Sequence, residues 1–89
     1  MFRVEWLQTA VNELATIWMQ ADSARRQAIT KAANAIDQQL RVEPFVSSES
    51  RGDEDRVFFA YPLGVLFEVD LQTRIVRVEH VWQYRGHGK

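Results

Sequence analysis

The sequence predicts a two-layer α+β domain in which the elements follow the order β-α-α-β-β-β. Three observations predict this class. Hydrophobic residues alternate along residues 2–6, recur at helical spacing from about residue 7 to residue 41, and return to strand-like runs between residues 56 and 84. Short turns separate the last three runs, so these strands are expected to form a three-stranded antiparallel meander. The helical hairpin then covers one face of that sheet.

The N-terminal strand and the first helix differ in the period of their hydrophobic residues. Phe2, Val4 and Trp6 share one strand face, whereas Arg3 and Glu5 share the other. Residues 8–20 then form an amphipathic helix. Its apolar stripe comprises Leu7, Ala10, Val11, Leu14, Ile17, Trp18 and Ala21.

A second helix is predicted over residues 24–41, with the hydroxyl of Ser23 as its N-cap. The tight Asp22-Ser23 link makes the two helices an antiparallel hairpin. Pro44 ends the second helix, since the residue before a proline avoids helical geometry. The apolar stripe of this helix comprises Ala28, Ile29, Ala32, Ala33, Ile36 and Leu40.

The second half of the chain is predicted to consist of strands and connecting turns. Residues 46–55 are polar and indicate an exposed loop. Strands follow over residues 56–61, 65–69 and 75–84, with turns at residues 62–64 and 70–73. Residues 86–89 are expected to be a frayed tail.

Composition limits the possible functions. The 89 residues make one domain, spanning residues 1–89, and the absence of cysteine excludes disulfides and thiolate metal sites. The formal net charge of −1 argues against strong non-specific binding to nucleic acid. Nine of the eleven basic residues are arginine, which suits phosphate or carboxylate partners but also follows from GC-rich coding. No phosphate-binding loop, dinucleotide fingerprint or zinc spacing is present, so we expect neither a cofactor nor an ordinary metabolic enzyme.

The distribution of apolar residues predicts a cytoplasmic protein. No apolar run approaches the ~20 residues that a membrane span needs, so no membrane partner is expected. The N-terminal residues alternate like a strand and lack the long apolar core of a signal peptide.

Several short strings occur in an order that resembles a known family. An N-terminal Val4-Glu5-Trp6 strand precedes a first helix of the form Ala10-Val11-x-x-Leu14-x-x-Ile17-Trp18. The sheet then shows the run from Leu63 to Asp70, followed by Val76-x-Val78-x-x-Val81-Trp82-x-x-Arg85. Across nearly the whole chain, this pattern resembles the RelE/ParE superfamily of bacterial type II toxins, which includes plasmid stabilisation proteins.

The resemblance implies a toxin that arrests growth and is neutralised by a cognate antitoxin. In this superfamily one branch cuts mRNA on the ribosome and another inhibits DNA gyrase, so ribosome, mRNA and gyrase are the implied targets. The antitoxin's C-terminal segment is expected to fold onto the toxin as it binds. The cutting chemistry relies on basic residues and on a general acid or base at the scissile phosphate.

The resemblance transfers few catalytic residues to this chain. Arg85 matches the family's final arginine, and Arg56 lies near its basic stretch. The cutting branch typically has an arginine at the start of the strand at 65–69, which this chain lacks. It often has a histidine or lysine at the position of Gln83, and lysines before the second strand, where this chain has Asp53-Glu54-Asp55. These departures favour a non-nucleolytic toxin or a diverged, non-catalytic interaction module with the same fold. If the chain is instead an endoribonuclease, its candidate catalytic residues are Arg85, Arg56 and Tyr84.

The candidate target-binding residues are Arg51, Arg77 and Arg85. If the last strand is regular, Arg77, Glu79, Val81, Gln83 and Arg85 share a face that meets phosphate or an acidic antitoxin. The alternative is a solvated face on which Arg77 pairs with Glu79 or Glu68.

The opposite face of that strand would carry His80 and Tyr84, either as an acid–base pair or with His80 bonded locally. A bulge near Glu79 would reverse these faces.

Two further groups have simpler interpretations. The carboxylates of the 46–55 segment have no histidine beside them, so a solvated loop is expected there rather than a metal site; they are Glu49, Asp53, Glu54 and Asp55. The three tryptophans, Trp6, Trp18 and Trp82, are expected in the core or at its edge, with an antitoxin-binding groove as the alternative for Trp82.

Overall fold

The computed structural model describes residues 1–46, 48–50, 52 and 54–84. It confirms the predicted order of a strand, two helices and an antiparallel meander, and it adds one short strand before the meander. The elements are β1 (Arg3–Trp6), α1 (Gln8–Met19), α2 (Ser23–Val42), β2 (Glu49–Ser50), β3 (Asp55–Ala60), β4 (Leu63–Asp70) and β5 (Ile75–Gln83).

The strands form one mixed sheet in the order β1-β5-β4-β3-β2. Strands β3, β4 and β5 are the predicted antiparallel meander. Strand β1 is parallel to β5, which the intervening helices make possible because a parallel pair needs a long crossover. Directly after β1, the Leu7 amide donates a hydrogen bond of 2.9 Å to the Val78 carbonyl of β5. Helix α1 therefore begins beside β5.

The helices cover one face of the sheet and enclose the core. The fully buried side chains of the sheet include Val65, Phe67, Val76 and Val78, and α2 contributes Ile29, Ile36 and Leu40 to the same core. Helix α1 packs chiefly on β5, whereas α2 contacts β1, β3 and β4. We call the side of the sheet under the helices the covered face and its opposite side the open face.

Helix α2 begins one residue before its predicted start, and its N-cap is Asp22 instead of Ser23. The Asp22 carboxylate accepts a hydrogen bond of 2.9 Å from the Arg25 amide. Both residue types cap helices well, but a carboxylate also interacts favourably with the positive end of the helix dipole. In the described part of the chain, neither helix combines the length and apolarity needed to cross a membrane.

Trp6 lies at the edge of the core, as predicted, and its polar edge joins a small network. Its indole nitrogen donates to Asp37 Oδ1 at 3.0 Å, while Arg41 donates to Asp37 Oδ2 at 2.7 Å. Burial raises the pKa of the Asp37 carboxyl, but the hydrogen bonds from Trp6 and Arg41 outweigh burial and leave that pKa below its usual value. The network thus fixes β1 against α2.

The prediction of an uninterrupted loop at 46–55 was wrong. Glu49 and Ser50 form β2 and pair with Val57 and Arg56 at the outer edge of β3. The segment lacks the hydrophobic alternation that signals a strand, because such a short polar edge strand buries little side-chain surface. Its pairing comes from the backbone alone, which sequence patterns do not reveal.

A bulge interrupts β5, so the face assignment for a regular strand was wrong. Leu66 pairs with His80 and the next residue, Phe67, pairs with Val78, which leaves Glu79 as the extra residue. Beyond the bulge, Val81 is buried on the covered face. Arg77 therefore does not share a face with Val81 or Gln83.

Candidate functional site on the open sheet face

Charged residues from four neighbouring strands meet on the open face. Glu5 pairs with Arg77, Arg77 with Glu68, and Glu68 with Asp55, so these residues stand side by side across β1, β5, β4 and β3. Glu79, the extra residue of the bulge, lies close enough to Asp55 and Glu68 to be affected by their charges. We call the five residues Glu5, Asp55, Glu68, Arg77 and Glu79 the charged row.

Arg77, a predicted target-binding residue, is surrounded by carboxylates. Its Nε lies 3.7 Å from Glu5 Oε1, and Arg3 approaches the other oxygen of Glu5 at 3.8 Å. The sequence alternative was an ion pair with Glu79 or Glu68, whereas the observed partner comes from β1. Because four carboxylates outnumber one guanidinium within the charged row, this part of the open face repels phosphate.

Glu79 shows the consequence of this crowding. Burial, the negative charges of Asp55 and Glu68, and a hydrogen bond shared with Asp55 all raise the pKa of the Glu79 carboxyl, and the nearby His80 offsets them only in part. The charged row is therefore under electrostatic repulsion in the free protein.

Four aromatic side chains form the other half of the open face. The ring of Phe59 meets Trp82 edge-on at 6.1 Å between centroids and Tyr84 at 5.2 Å. Tyr61 meets Tyr84 at 5.7 Å. Gly64 leaves the room for them, since a Cβ at that position would lie 2.8 Å from the Trp82 ring. We call Phe59, Tyr61, Trp82 and Tyr84 the aromatic cluster. Trp82 also lines a cleft between α1 and β5, so its role in an antitoxin-binding groove stays a prediction.

Arg56, a candidate catalytic residue, is held by the segment that follows α2. Its Nε donates to Ser48 Oγ at 2.8 Å and its Nη2 to the Ser48 carbonyl at 3.1 Å. The guanidinium also lies 5.1 Å from the Phe45 ring centroid, a cation–π distance. Arg56 and Arg77 both line a cleft of about 460 Å³ at the end of the sheet, together with acidic residues including Glu68.

The other predicted site residues lie apart from this cleft or outside the described residues. The Tyr84 amide donates to the Pro62 carbonyl at 3.0 Å, which places Tyr84 near the start of β4. Arg77 faces Glu68, about 20 Å further along β4. Arg56 and Arg77 line the same cleft from opposite faces of the sheet, and both lie away from Tyr84. Arg51, Arg85 and Asp53 lie outside the described residues.

Sequence reasoning missed the contact that holds α1 against β5. Glu13 Oε1 accepts a hydrogen bond of 2.9 Å from the Val81 amide, just after the bulge, and Glu13 Oε2 lies 3.1 Å from His80 Nδ1. Gln83, at the position where the cutting branch often has a histidine or lysine, accepts from Arg25 Nε at 3.2 Å. No sequence signal identifies Glu13, because its partner is a backbone amide of β5 beyond Val78, where the pairing with β1 ends.

An apolar groove runs between the two helices on the far side of the domain. It encloses about 520 Å³ and is lined by residues that include Val11, Leu14, Ile29 and Ala33. Trp18 at its margin is 41% exposed and donates to Thr30 Oγ1 at 3.3 Å, which places this tryptophan at the edge of the core. We call this feature the hairpin groove.

Comparison with known proteins supplies structural matches. No family model matches the sequence, and no curated protein matches it. Among solved structures, the ParDE toxin–antitoxin system of P. aeruginosa aligns with a TM-score of 0.73 at 13% identity, covering 96% of this chain and 98% of the matched chain. The RelBE2 toxin–antitoxin complex of Mycobacterium tuberculosis aligns with a TM-score of 0.69 at 16% identity, covering 92% and 90%.

The isolated E. coli RelE toxin is a third match, with a TM-score of 0.63 at 14% identity over 99% of this chain and 89% of the toxin. At such identities the likeness concerns the backbone architecture. These matches confirm the fold that the sequence resemblance implied: the chain has the architecture shared by the RelE and ParE structures.

Proposed function

We propose that this protein is the toxin of a bacterial type II toxin–antitoxin system and acts in the cytoplasm. The observation that carries the proposal is the extent of the structural likeness. It covers at least 92% of this chain and at least 89% of each of the three matched chains described above, so the likeness involves every element of the fold. The residue patterns of β1, α1 and β5 independently point to the same superfamily.

The hairpin groove is the surface that an antitoxin segment would cover. Met19 and Val11 are 68% and 42% exposed on α1, although both are apolar. An amphipathic helix laid into a hydrophobic groove buries such side chains and is a common mode of peptide recognition. An antitoxin segment bound at this groove leaves at least part of the open face exposed.

The open face supports action by binding rather than by RNA cleavage. Its charged row repels phosphate, and Arg56 and Gln83 are engaged with Ser48 and Arg25. Arg51 and Arg85 are the proposed contacts to the target, joined by Arg56 and Arg77 where the target displaces Ser48 and Glu5 from them. The target is either the ribosome or DNA gyrase.

Tightly controlled expression in a bacterial culture tests the proposal. We expect growth arrest by the wild type, reduced arrest by Arg85→Ala, and unchanged arrest by Lys31→Ala, a matched removal of an exposed cation on α2. Circular dichroism must show that each variant is folded. Measuring protein synthesis and plasmid supercoiling after induction then separates a ribosomal target from gyrase.

A diverged, non-catalytic interaction module is the second candidate. The crowding of carboxylates around Arg77 favours it, because a surface under no selection to bind nucleic acid can accumulate them. Unimpeded growth with folded, soluble wild-type protein would support this candidate and contradict the toxin proposal.

A further inference from the structure

The open face lies outside the helical layer and carries an unusual combination of side chains. Two of its aromatic residues remain well exposed despite packing against each other, with Phe59 at 43% and Tyr61 at 56%. The charged row lies on the same face, beyond an intervening row that contains Val57 and Leu66. Exposed aromatic rings and carboxylates on one face each attract cations, the rings through their negative faces and the carboxylates through direct charge attraction.

Among the described residues, three carboxylates of the charged row, Asp55, Glu68 and Glu79, form no ion pair. Arg77 lies within ion-pair distance of Glu5, at 3.7 Å, so its charge is directed toward β1. On the other side of it, Asp55 stands opposite Glu68, and Glu79 is the extra residue of the adjoining bulge; burial and these two neighbouring charges raise the pKa of Glu79. A cation placed among these three carboxylates would relieve that repulsion.

We propose that the open face binds an extended, basic segment of a partner protein, with one cationic side chain at the charged row and a second over the aromatic cluster. Arginine suits both positions, because its planar guanidinium forms paired hydrogen bonds with carboxylates and stacks on aromatic rings. The proposal concerns binding to this face and stands independently of growth arrest.

The register of the sheet sets the spacing of the two cations. Asp55 and Phe59 are four residues apart on β3, and Glu68 and Gly64 are four residues apart on β4. Four residues of strand span about 13 Å. Residues i and i+4 of an extended segment lie on one side and are separated by the same distance, so two arginines at that spacing reach both halves of the face.

Single-stranded RNA is the competing ligand for an aromatic surface. Bases do stack on exposed rings, but proteins that use this mode combine the rings with a positively charged groove that follows the phosphates. Here the charged row on the same face carries excess negative charge, so charge complementarity favours the basic segment.

Two short blocked peptides of identical composition test the spacing. One carries two arginines four positions apart among serines and threonines, and the other carries the two arginines side by side. Fluorescence anisotropy at low salt should show that the spaced peptide binds the full-length protein about two- to five-fold more tightly, the effect of one exposed cation–π contact. An RNA oligonucleotide of similar length serves as the competing probe.

Variants then locate the binding surface. Asp55→Asn combined with Glu68→Gln should weaken binding of both peptides, whereas Glu43→Gln removes an exposed carboxylate away from the open face and should leave binding unchanged. Tyr61→Leu keeps an apolar side chain but removes a ring, so it should abolish the advantage of the spaced peptide.

Amide shifts in NMR spectra should concentrate on β3, β4 and β5, and the same spectra report whether each variant is folded. Equal affinity for the two peptides, equal weakening by Glu43→Gln, or tighter binding of the RNA than of the spaced peptide would each overturn the proposal.

Discussion

The covered and open faces are built from the same strands, yet their side chains follow different rules. On β4, Phe67 is fully buried under the helices, while its neighbours Leu66 and Glu68 point to the open face. Along β5, the covered face carries Val76 and Val78, which alternate with Arg77 and the crowded Glu79. One face thus gains from burial and the other carries charge repulsion.

The difference separates what stabilises this domain from what is available for binding. Side chains on the covered face exclude water, and the space between the sheet and the helices limits their size, because cores pack to crystal-like density. Side chains on the open face are constrained only by their neighbours across the strands. A change on the covered face is therefore expected to act through stability, and a change on the open face mainly through binding.

Truncation of two adjacent residues on β4 gives the largest expected contrast. Phe67→Ala removes a buried ring and should lower the free energy of unfolding by about 3–5 kcal/mol. Leu66→Ala, on the half-buried open face, should cost markedly less because solvent and neighbouring side chains can fill the space. Urea unfolding of both variants measures the contrast, and equal losses would show that the open face is covered in solution.

The next effect concerns Gly64, where the open face is as tightly packed as a core. A Cβ on Gly64 would lie 2.8 Å from Trp82 and 2.9 Å from Phe59. Gly64→Ala should therefore destabilise the protein by about 1–3 kcal/mol, the usual cost of overpacking. In a double-mutant cycle, Trp82→Leu should recover much of that loss. Additive losses would mean that the glycine is needed for its backbone and not for the indole.

The covered face was also the part that the sequence predicted well. Alternation in residues 2–6 and helical spacing up to residue 41 identified β1, α1 and α2, because both patterns are direct consequences of burial on one side. The sequence suggested the bulge at Glu79 only as an alternative to a regular strand. The extra residue is identified only by comparison with the partner strand, whose register the sequence does not show. Strand β2 was missed because its two polar residues pair through the backbone.

The candidate site was harder to predict than the fold. Arginines could be named from their position in the chain, but their neighbours depend on strand register. Arg77 pairs with Glu5, which lies on a strand about seventy residues earlier in the chain, and the Phe59 ring packs against Trp82 across β4. Such contacts arise from tertiary pairing, so a single sequence without its register does not contain them.

Glu13 lies at the boundary between the two faces, and its removal should have an intermediate effect. Glu13→Ala leaves the Val81 amide without its carboxylate acceptor, which should cost about 1–3 kcal/mol if water does not replace it. Glu13→Gln keeps an acceptor oxygen and should lose less. Hydrogen exchange at the Val81 amide reports the effect directly, and unchanged exchange in Glu13→Ala would show that this bond does not secure β5.

Glu79 gives the smallest effect and the one that most directly tests whether the open face is under repulsion. Burial and the charges of Asp55 and Glu68 raise the Glu79 pKa above its ordinary value of 4.5, so the folded protein holds this proton more tightly than the unfolded chain does. The repulsion is therefore fully present at neutral pH and disappears as pH falls through the raised pKa. Glu79→Gln should be more stable than wild type at pH 7 by roughly 0.2–1 kcal/mol, the scale of a like-charge pair across strands.

That advantage should shrink as pH falls through the raised pKa and disappear below about 4.5, where the wild-type carboxyl becomes protonated in the unfolded chain as well as in the folded protein. Thermal unfolding of both proteins between neutral pH and that value measures it, with Glu43→Gln as an exposed control that should show little change. A pH-independent difference would assign the effect to packing and not to charge. A loss of stability in Glu79→Gln at pH 7 would mean that His80 outweighs Asp55 and Glu68, and the charged row would then be electrostatically satisfied without a partner.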